Sequence, residues 1–202
     1  MLIGENGSGK STLVEGIAQQ FGLSPEGGST GARHSTRPTE SPLWRAMWLT
    51  RGLAASKWGF FLRAETMHGY YTYLEQNPAG PRSREPVFHE LSHGESFLEL
   101  LSTRVTGPGL FVLDEPEAAL SFTGSLALVG LLGKIARSET TQPIVATHSP
   151  VVAATPGARI LEVTSDGLVE RQWRDLELVQ HWTAFLADPD SYLRYLDDED
   201  DA

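Results

Sequence analysis

Apolar positions along the chain fall into short blocks, and the spacing inside each block predicts its structure. Met1–Ile3 is an apolar stub that runs into a glycine-rich turn. Over Lys10–Phe21, Leu13, Val14, Ile17, Ala18 and Phe21 recur at helical spacing, which predicts an amphipathic helix. Gly22–Pro42, rich in Gly, Ser, Thr and Pro, reads as loop. Met47–Thr50 and Phe60–Arg63 have the composition of short strands, and Ala64–Gln76 reads as a helix ended by Asn77-Pro78. A second Pro/Gly/Arg loop occupies Pro78–Pro86.

The second half is more sharply patterned. Ser92–Val105 predicts a helix with Ser92 as cap, Glu95 completing a capping box, and Phe97, Leu98, Leu101 and Val105 as its apolar stripe. Gly107-Pro108-Gly109 stops it. Leu110–Leu113 is a continuous apolar run, as expected of a strand buried on both faces of a parallel sheet. Gly124–Arg137 reads as helix and Ile144–Ala146 as another buried strand. Arg159–Thr164 and Leu168–Trp173 flank Ser165-Asp166-Gly167, a hairpin signal. Asp175–Leu186 and Tyr192–Leu196 close the chain as helices. Strands alternating with helices predict an α/β sandwich.

Composition narrows the class. The 202 residues include 26 acidic, 16 basic and six histidine side chains, with 40% apolar residues, so a single domain with a packed core is expected. No apolar run approaches the ~18 residues of a membrane span, and the N-terminus lacks a basic leader and an apolar h-region, so neither membrane insertion nor export is expected. The absence of cysteine excludes disulfides, thiol nucleophiles and cysteine-ligated zinc, and fits the cytoplasm. Charge is unevenly spread: 31–63 carries six basic residues (Arg33, Arg37, Arg45, Arg51, Lys57, Arg63) against Glu40, whereas 185–202 carries seven acidic residues against Arg194. The basic stretch permits a nucleic-acid contact. Its scatter off helical spacing fits a solvated surface better, and the net charge of −10 argues against non-specific DNA binding. The five tryptophans (Trp44, Trp48, Trp58, Trp173, Trp182) and the Tyr70–Tyr73 cluster are expected to pack core and lobe.

The chemistry concentrates in three places. Gly4-Glu5-Asn6-Gly7-Ser8-Gly9-Lys10-Ser11 matches G-x-x-x-x-G-K-[ST] completely, between a strand stub and an amphipathic helix. Such a loop wraps phosphate in backbone N–H groups at a helix N-terminus, with Lys10 on the β- and γ-phosphates and Ser11 on Mg²⁺. Gly4, Asn6, Gly7, Ser8, Gly9, Lys10, Ser11 and Thr12 are thus the expected nucleotide contacts. Leu110–Leu113 then delivers Asp114 and Glu115 at a strand's C-terminal end, where α/β sheets place ligands. Asp114 is expected in the Mg²⁺ shell, and Glu115 as base or orienter of the attacking water. A second apolar strand ends in Thr147-His148-Ser149-Pro150, where His148 can reach a γ-phosphate.

On these motifs the chain resembles the ATP-binding-cassette superfamily over nearly its whole length. Leu91-Ser92-His93-Gly94-Glu95 looks like the cassette signature, Leu-Ser-Gly-Gly-Gln. Ser92 lies 22 residues before Asp114, and His148 lies 34 after it. The resemblance implies a P-loop three-layer sandwich with a mostly parallel sheet and a small helical lobe at about 64–106, one ATPase domain over 1–187 and an acidic tail over 188–202. It also implies an ATP- and Mg²⁺-dependent hydrolase that closes as a head-to-tail dimer, with Ser92, Gly94 and Glu95 of one copy facing the nucleotide on the other's Lys10. Lys10, Glu115 and His148 would be the catalytic residues. GENGSGKSTLVEGIA, GFFLRAE, LSHGESFLEL, LFVLDEPEAALS and ATHSPVV look closest to the soluble AAA-family and abortive-infection-type ATPases. A transporter's nucleotide-binding subunit and a DNA-repair or defence ATPase are the alternatives.

The departures from the family are specific. His93 replaces a glycine and Glu95 a glutamine in the signature, and Ser121 stands where an aspartate is expected. Glu65 takes the place of a Mg²⁺-sensing glutamine and joins Ser11 and Asp114 as a metal candidate. Only 82 residues separate Lys10 from Ser92, leaving no room for a long coiled-coil insertion. Three residues before the phosphate loop span about 10 Å at ~3.3 Å each, against the usual five or six of a strand. The preceding strands and an adenine-stacking aromatic are missing, and coding sequence is therefore expected upstream of Met1. A literal H-E-x-x-H, His89-Glu90-Leu91-Ser92-His93, competes for the signature segment. Zinc-protease chemistry needs both histidines on one helix, whereas Pro86 and Gly94 bracket this stretch and the best helix start is Ser92.

Overall fold

The computed structural model describes residues 1–30, 41–53, 55–66, 93–105 and 107–194, and for 93–97 the backbone alone. Its centre is a seven-stranded sheet: β1 (Leu2–Ile3), β2 (Gly28–Ser29), β3 (Gly59–Arg63), β4 (Gly109–Asp114), β5 (Thr141–Thr147), β6 (Ile160–Thr164) and β7 (Gly167–Arg171). The order is β2-β3-β4-β5-β1-β6-β7. The run β3-β4-β5-β1-β6 is parallel, and β2 and β7 add antiparallel edges. Short as it is, β1 sits between β5 and β6 and pairs with both.

Period-2 alternation inside the apolar strands feeds two separate cores. On one face Phe61, Leu110, Val112, Leu2 and Ala146 pack against α1 (Lys10–Phe21) through Val14, Ala18 and Phe21. On the other, Phe60, Leu62, Phe111, Leu113 and Val145 meet α2 (His93–Arg104) through Leu100 and Leu101, and α3 (Phe122–Ala136) through Leu128, Leu132 and Ile135. Each fully buried Phe or Leu contributes about 1.5–3 kcal/mol of transfer free energy. Helices on both faces of a mostly parallel sheet make the three-layer α/β sandwich expected from the sequence. A third cluster joins Ile3 and Ile160 to Ala153 of α4 (Pro150–Ala153) and Val179 of α5 (Glu177–Ala187). The chain then turns through α6 (Asp190–Leu193), where Tyr192 meets Phe185 edge-on at 5.8 Å.

Several elements differ from the sequence-based expectation. Met47–Thr50 forms no strand, and Trp48 is 96% exposed. The free edge of β3 is taken instead by Gly28–Ser29, a strand inside the segment read as loop. β5 begins at Thr141 rather than Ile144 because Thr141, Gln142 and Pro143 stay in register with Gly109–Phe111. α3 begins at Phe122, where the Ser121 hydroxyl accepts the Gly124 N–H at 3.2 Å. The last helix spans Asp190–Leu193 rather than starting at Tyr192. Trp58 packs on Phe111 at 5.2 Å and Trp173 bonds the Pro150 carbonyl at 2.8 Å, but Trp48 and Trp182 face outward and are not core residues. Ala64–Thr66 is one turn of 3₁₀ helix, while the rest of that helix, Tyr70–Tyr73, Ser92 with its capping box, and His89 lie outside the described residues.

Strand register fixes where the chemistry falls. Arg63 is the partner of Asp114, Asp114 of Ala146, and Ile3 of Thr147. The last residues of four parallel strands therefore stand side by side along one edge, immediately below the loop that follows β1.

Candidate functional site

The β1–α1 loop takes the shape that its glycines allow. Gly7 and Gly9 have φ of +82° and +94°, in the left-handed region that side chains resist. No side chain caps α1 and no acidic residue lies in its first turn, so its first N–H groups and positive dipole end are open to an anion. Lys10, only 3% exposed, folds over the loop and donates from Nζ to the carbonyls of Gly4 at 2.8 Å and Glu5 at 2.7 Å. An ammonium has three donors, so this contact holds the loop open around a charge that still has a donor to give.

Below the loop stand the strand-end carboxylates. Ser11 Oγ donates to Asp114 Oδ1 at 3.1 Å, and Arg63 Nε lies 3.4 Å from Asp114 Oδ2. Arg63 also bonds Glu15 of α1 at 2.9 Å, linking β3 to the helix behind the loop. Burial pushes the Asp114 carboxyl above its ordinary range; the Ser11 bond and the Arg63 charge oppose this, and Glu115 and Glu65 add to it. A buried anion held up in this way beside a serine hydroxyl is a donor set for a hard divalent cation. Asn6, Gly7, Gly9, Lys10, Ser11, Thr12, Arg63, Glu65, Asp114 and Glu115 line one cleft of about 400 Å³.

Glu115 is the one non-glycine residue with positive φ, +49°, among the described residues. Its N–H is tied to the Ala146 carbonyl at 2.9 Å, and its Oε1 lies 3.3 Å from His148 Nδ1. Such backbone strain costs about 1–3 kcal/mol and is commonest at functional sites. Glu117 is the residue the sequence reading missed. It is 8% exposed; its Oε1 accepts Thr147 Oγ1 and the His148 N–H at 3.1 Å, and lies 3.7 Å from His148 Nδ1. Ser8, Glu117 and His148 line a second cavity of about 920 Å³ that shares Asn6 with the first.

Of the expected site, Gly4 through Thr12, Glu65, Asp114, Glu115 and His148 converge on the rims of these two cavities. Gly94 and Glu95 lie in the first turn of α2 by backbone, without described side chains, and Ser92 lies outside the described residues. Arg63 and Glu15 were missed as well. The available signal was a lone acid on the buried flank of α1 and a lone arginine ending an apolar strand. Of the basic stretch, Arg63 is committed to Glu15 and Asp114. Arg51 lies over the Phe21 ring at 4.3 Å and donates to the Phe21 carbonyl at 2.9 Å. Among the described residues no helix is long and apolar enough to cross a membrane.

No protein-family model matches the sequence, and no curated protein matches it. Among solved structures the chain is similar to one from an inward-facing conformation of a transporter assigned to the metal-chelate type of ABC transporters. Identity is 19% over 93% of this chain and 78% of the other, with a TM-score of 0.46. It is also similar to the SMC head domain from Thermotoga maritima, at 18% identity over 85% of this chain and 89% of that one, TM-score 0.47. Both are loose likenesses of chain path; the chemistry on offer is that of the residues at the sheet's edge.

Proposed function

We propose that this chain is an ATP-hydrolysing head of the ATP-binding-cassette type that works as a nucleotide-gated, head-to-tail dimer. The observation that carries the reading is the convergence, at one sheet edge, of a lysine-bearing phosphate loop, the Ser11–Asp114 pair at 3.1 Å and the Glu115–His148 pair at 3.3 Å. Each is a part that phosphoryl transfer needs, and positioning with electrostatic stabilisation is nearly all that such a reaction asks of a protein.

The loop N–H groups and the α1 terminus hold the phosphates, and Lys10 exchanges its loop carbonyls for phosphate oxygens. Ser11 and Asp114, with Glu65 nearby, fit a Mg²⁺ ion, which when bound offsets the triphosphate's charge. Glu115 orients the water for in-line attack and accepts its proton, and His148 contacts the γ-phosphate. Ser92, Gly94 and Glu95 of a second copy close the site from the opposite side. No membrane-embedded partner is invoked.

Purified chain is expected to release phosphate from Mg-ATP, and Glu115→Gln to bind Mg-ATP and elute at twice the monomer mass. A wild-type chain without ATPase activity, or a variant that stays monomeric with Mg-ATP, contradicts the reading. Repeating the assay with DNA tests a nucleic-acid role; a rate that does not change assigns the output to another partner.

A further inference from the structure

We propose that Glu117 is a positioning residue of the hydrolytic site, clamping the Thr147–His148 corner to the loop that carries Glu115. The inference rests on the ATPase reading and concerns a residue to which the phosphate-loop and strand-end motifs assign no part.

Three hydrogen bonds tie the ends of β4 and β5 together: Glu115 N–H to the Ala146 carbonyl, and Thr147 Oγ1 and His148 N–H to Glu117 Oε1. They bracket Glu115 on both sides and hold it at its φ of +49°. They also fix the base of the His148 ring. Nδ1 then faces two carboxylates, Glu115 at 3.3 Å and Glu117 at 3.7 Å.

The two carboxylates are not equivalent. Glu115 is on the cleft rim with a third of its side chain exposed and can rotate toward a water, whereas Glu117 is pinned by two donors and is buried. When Glu115 turns to its water, Glu117 stays opposite Nδ1, so the ring keeps a carboxylate partner and its aim. A purely structural clamp has no need of the charge. An amide oxygen would accept the same two bonds, and burying a carboxylate whose Oε2 has no hydrogen-bond partner among the described residues is unfavourable. His148 Nδ1, 3.7 Å away, is the group that this carboxylate faces.

Glu117→Gln keeps the acceptor and removes the charge. Its kcat is expected to fall about 10- to 100-fold, the range for outer partners that orient a reactive group, with the Kd for a non-hydrolysable ATP analogue within about twofold of wild type. In a His148→Ala background the same substitution is expected to change kcat less than about twofold, because the ring it aims is gone. Thr147→Val, which removes one donor to Glu117 and keeps the strand's shape, serves if Glu117→Gln does not fold; kcat is expected to fall several-fold at unchanged analogue affinity. Wild-type kcat in Glu117→Gln, or a full further loss in the His148→Ala background, overturns the positioning role while leaving the ATPase reading intact. Parallel loss of analogue binding and kcat overturns it too, reducing Glu117 to a structural tie. An inactive wild type overturns the ATPase reading itself.

Discussion

The two ends of this sheet hold the same kinds of charged residue in different surroundings. On the β6–β7 hairpin, Arg159 meets Glu170 at 2.8 Å with both side chains more than half exposed, and Arg171 meets Glu162 at 3.1 Å with the arginine about half exposed over a mostly buried glutamate. At the ends of β3 and β4, Arg63 meets Glu15 at 2.9 Å and Asp114 at 3.4 Å, with all three side chains at least four-fifths buried. Distances barely distinguish the sets. Burial does: water screens the Arg159–Glu170 pair to near irrelevance, whereas each charge below the phosphate loop carries a desolvation penalty. Charges kept where burial works against them mark the end of the sheet to which the proposed chemistry belongs.

The largest break in that comparison should come from Glu115→Gln. It removes the proposed general base on a strained backbone, and the phosphate-release rate is expected to fall about 10²- to 10⁴-fold with ATP still bound. An unchanged rate would move the base elsewhere. Next comes Lys10→Ala. Each charge-assisted phosphate contact is worth roughly 1.5–3 kcal/mol, so ATP affinity by titration calorimetry should drop about ten- to a hundredfold. A smaller loss than twofold would mean that Lys10 stays on the Gly4 and Glu5 carbonyls when nucleotide binds.

Asp114→Asn tests the desolvation argument through its sign. Asp114 has its folded-state pKa raised, chiefly by burial. The stability it contributes is present below the unfolded pKa, about 3.9, and is lost as pH rises through the raised folded value. At neutral pH the ionised carboxylate therefore destabilises the nucleotide-free fold. Asparagine keeps an acceptor for Ser11, so the variant should melt higher than wild type at pH 7 without ligand, and the gap should close toward pH ~4. Added Mg-ATP should stabilise wild type and leave the variant nearly unmoved. A variant that melts lower at neutral pH would show that the Arg63 and Ser11 contacts outweigh burial.

The sequence made half of this site readable. Lys10, Ser11, Asp114, Glu115 and His148 each sit at the end of a periodic block, where the change from apolar run to loop points to a strand end or helix start. α1 was legible to the residue because its stripe and its bracketing glycines agree. Glu117, Arg63 and Glu15 were not, because their meaning lies in partners 30 to 51 residues away that only strand register brings close. β2 was hidden because Gly28–Ser29 has no side-chain pattern, and the Met47–Thr50 expectation failed because strand propensity without an open edge has nothing to pair with. The signature segment is the part on which sequence and described structure do not meet.

The smallest expected effect completes the comparison from the hairpin side. Arg159 Nε and Nη2 both donate to Glu170 Oε2; this contact raises the Arg159 pKa and holds the Glu170 carboxyl below its ordinary range. A depressed carboxyl contributes stability above its unfolded pKa and loses it as pH falls through the folded value. Both groups are fully exposed, so counter-ions and water replace the partner almost completely. Arg159→Ala should leave ATP turnover unchanged, and any shift in melting temperature should disappear at 1 M salt, where the Debye length is about 3 Å. A turnover loss would join the hairpin to the site through β6, whose Leu161 and Glu162 pair with Leu2 and Ile3 immediately before the phosphate loop. It would break the division between screened surface charge and the buried charge of the proposed site.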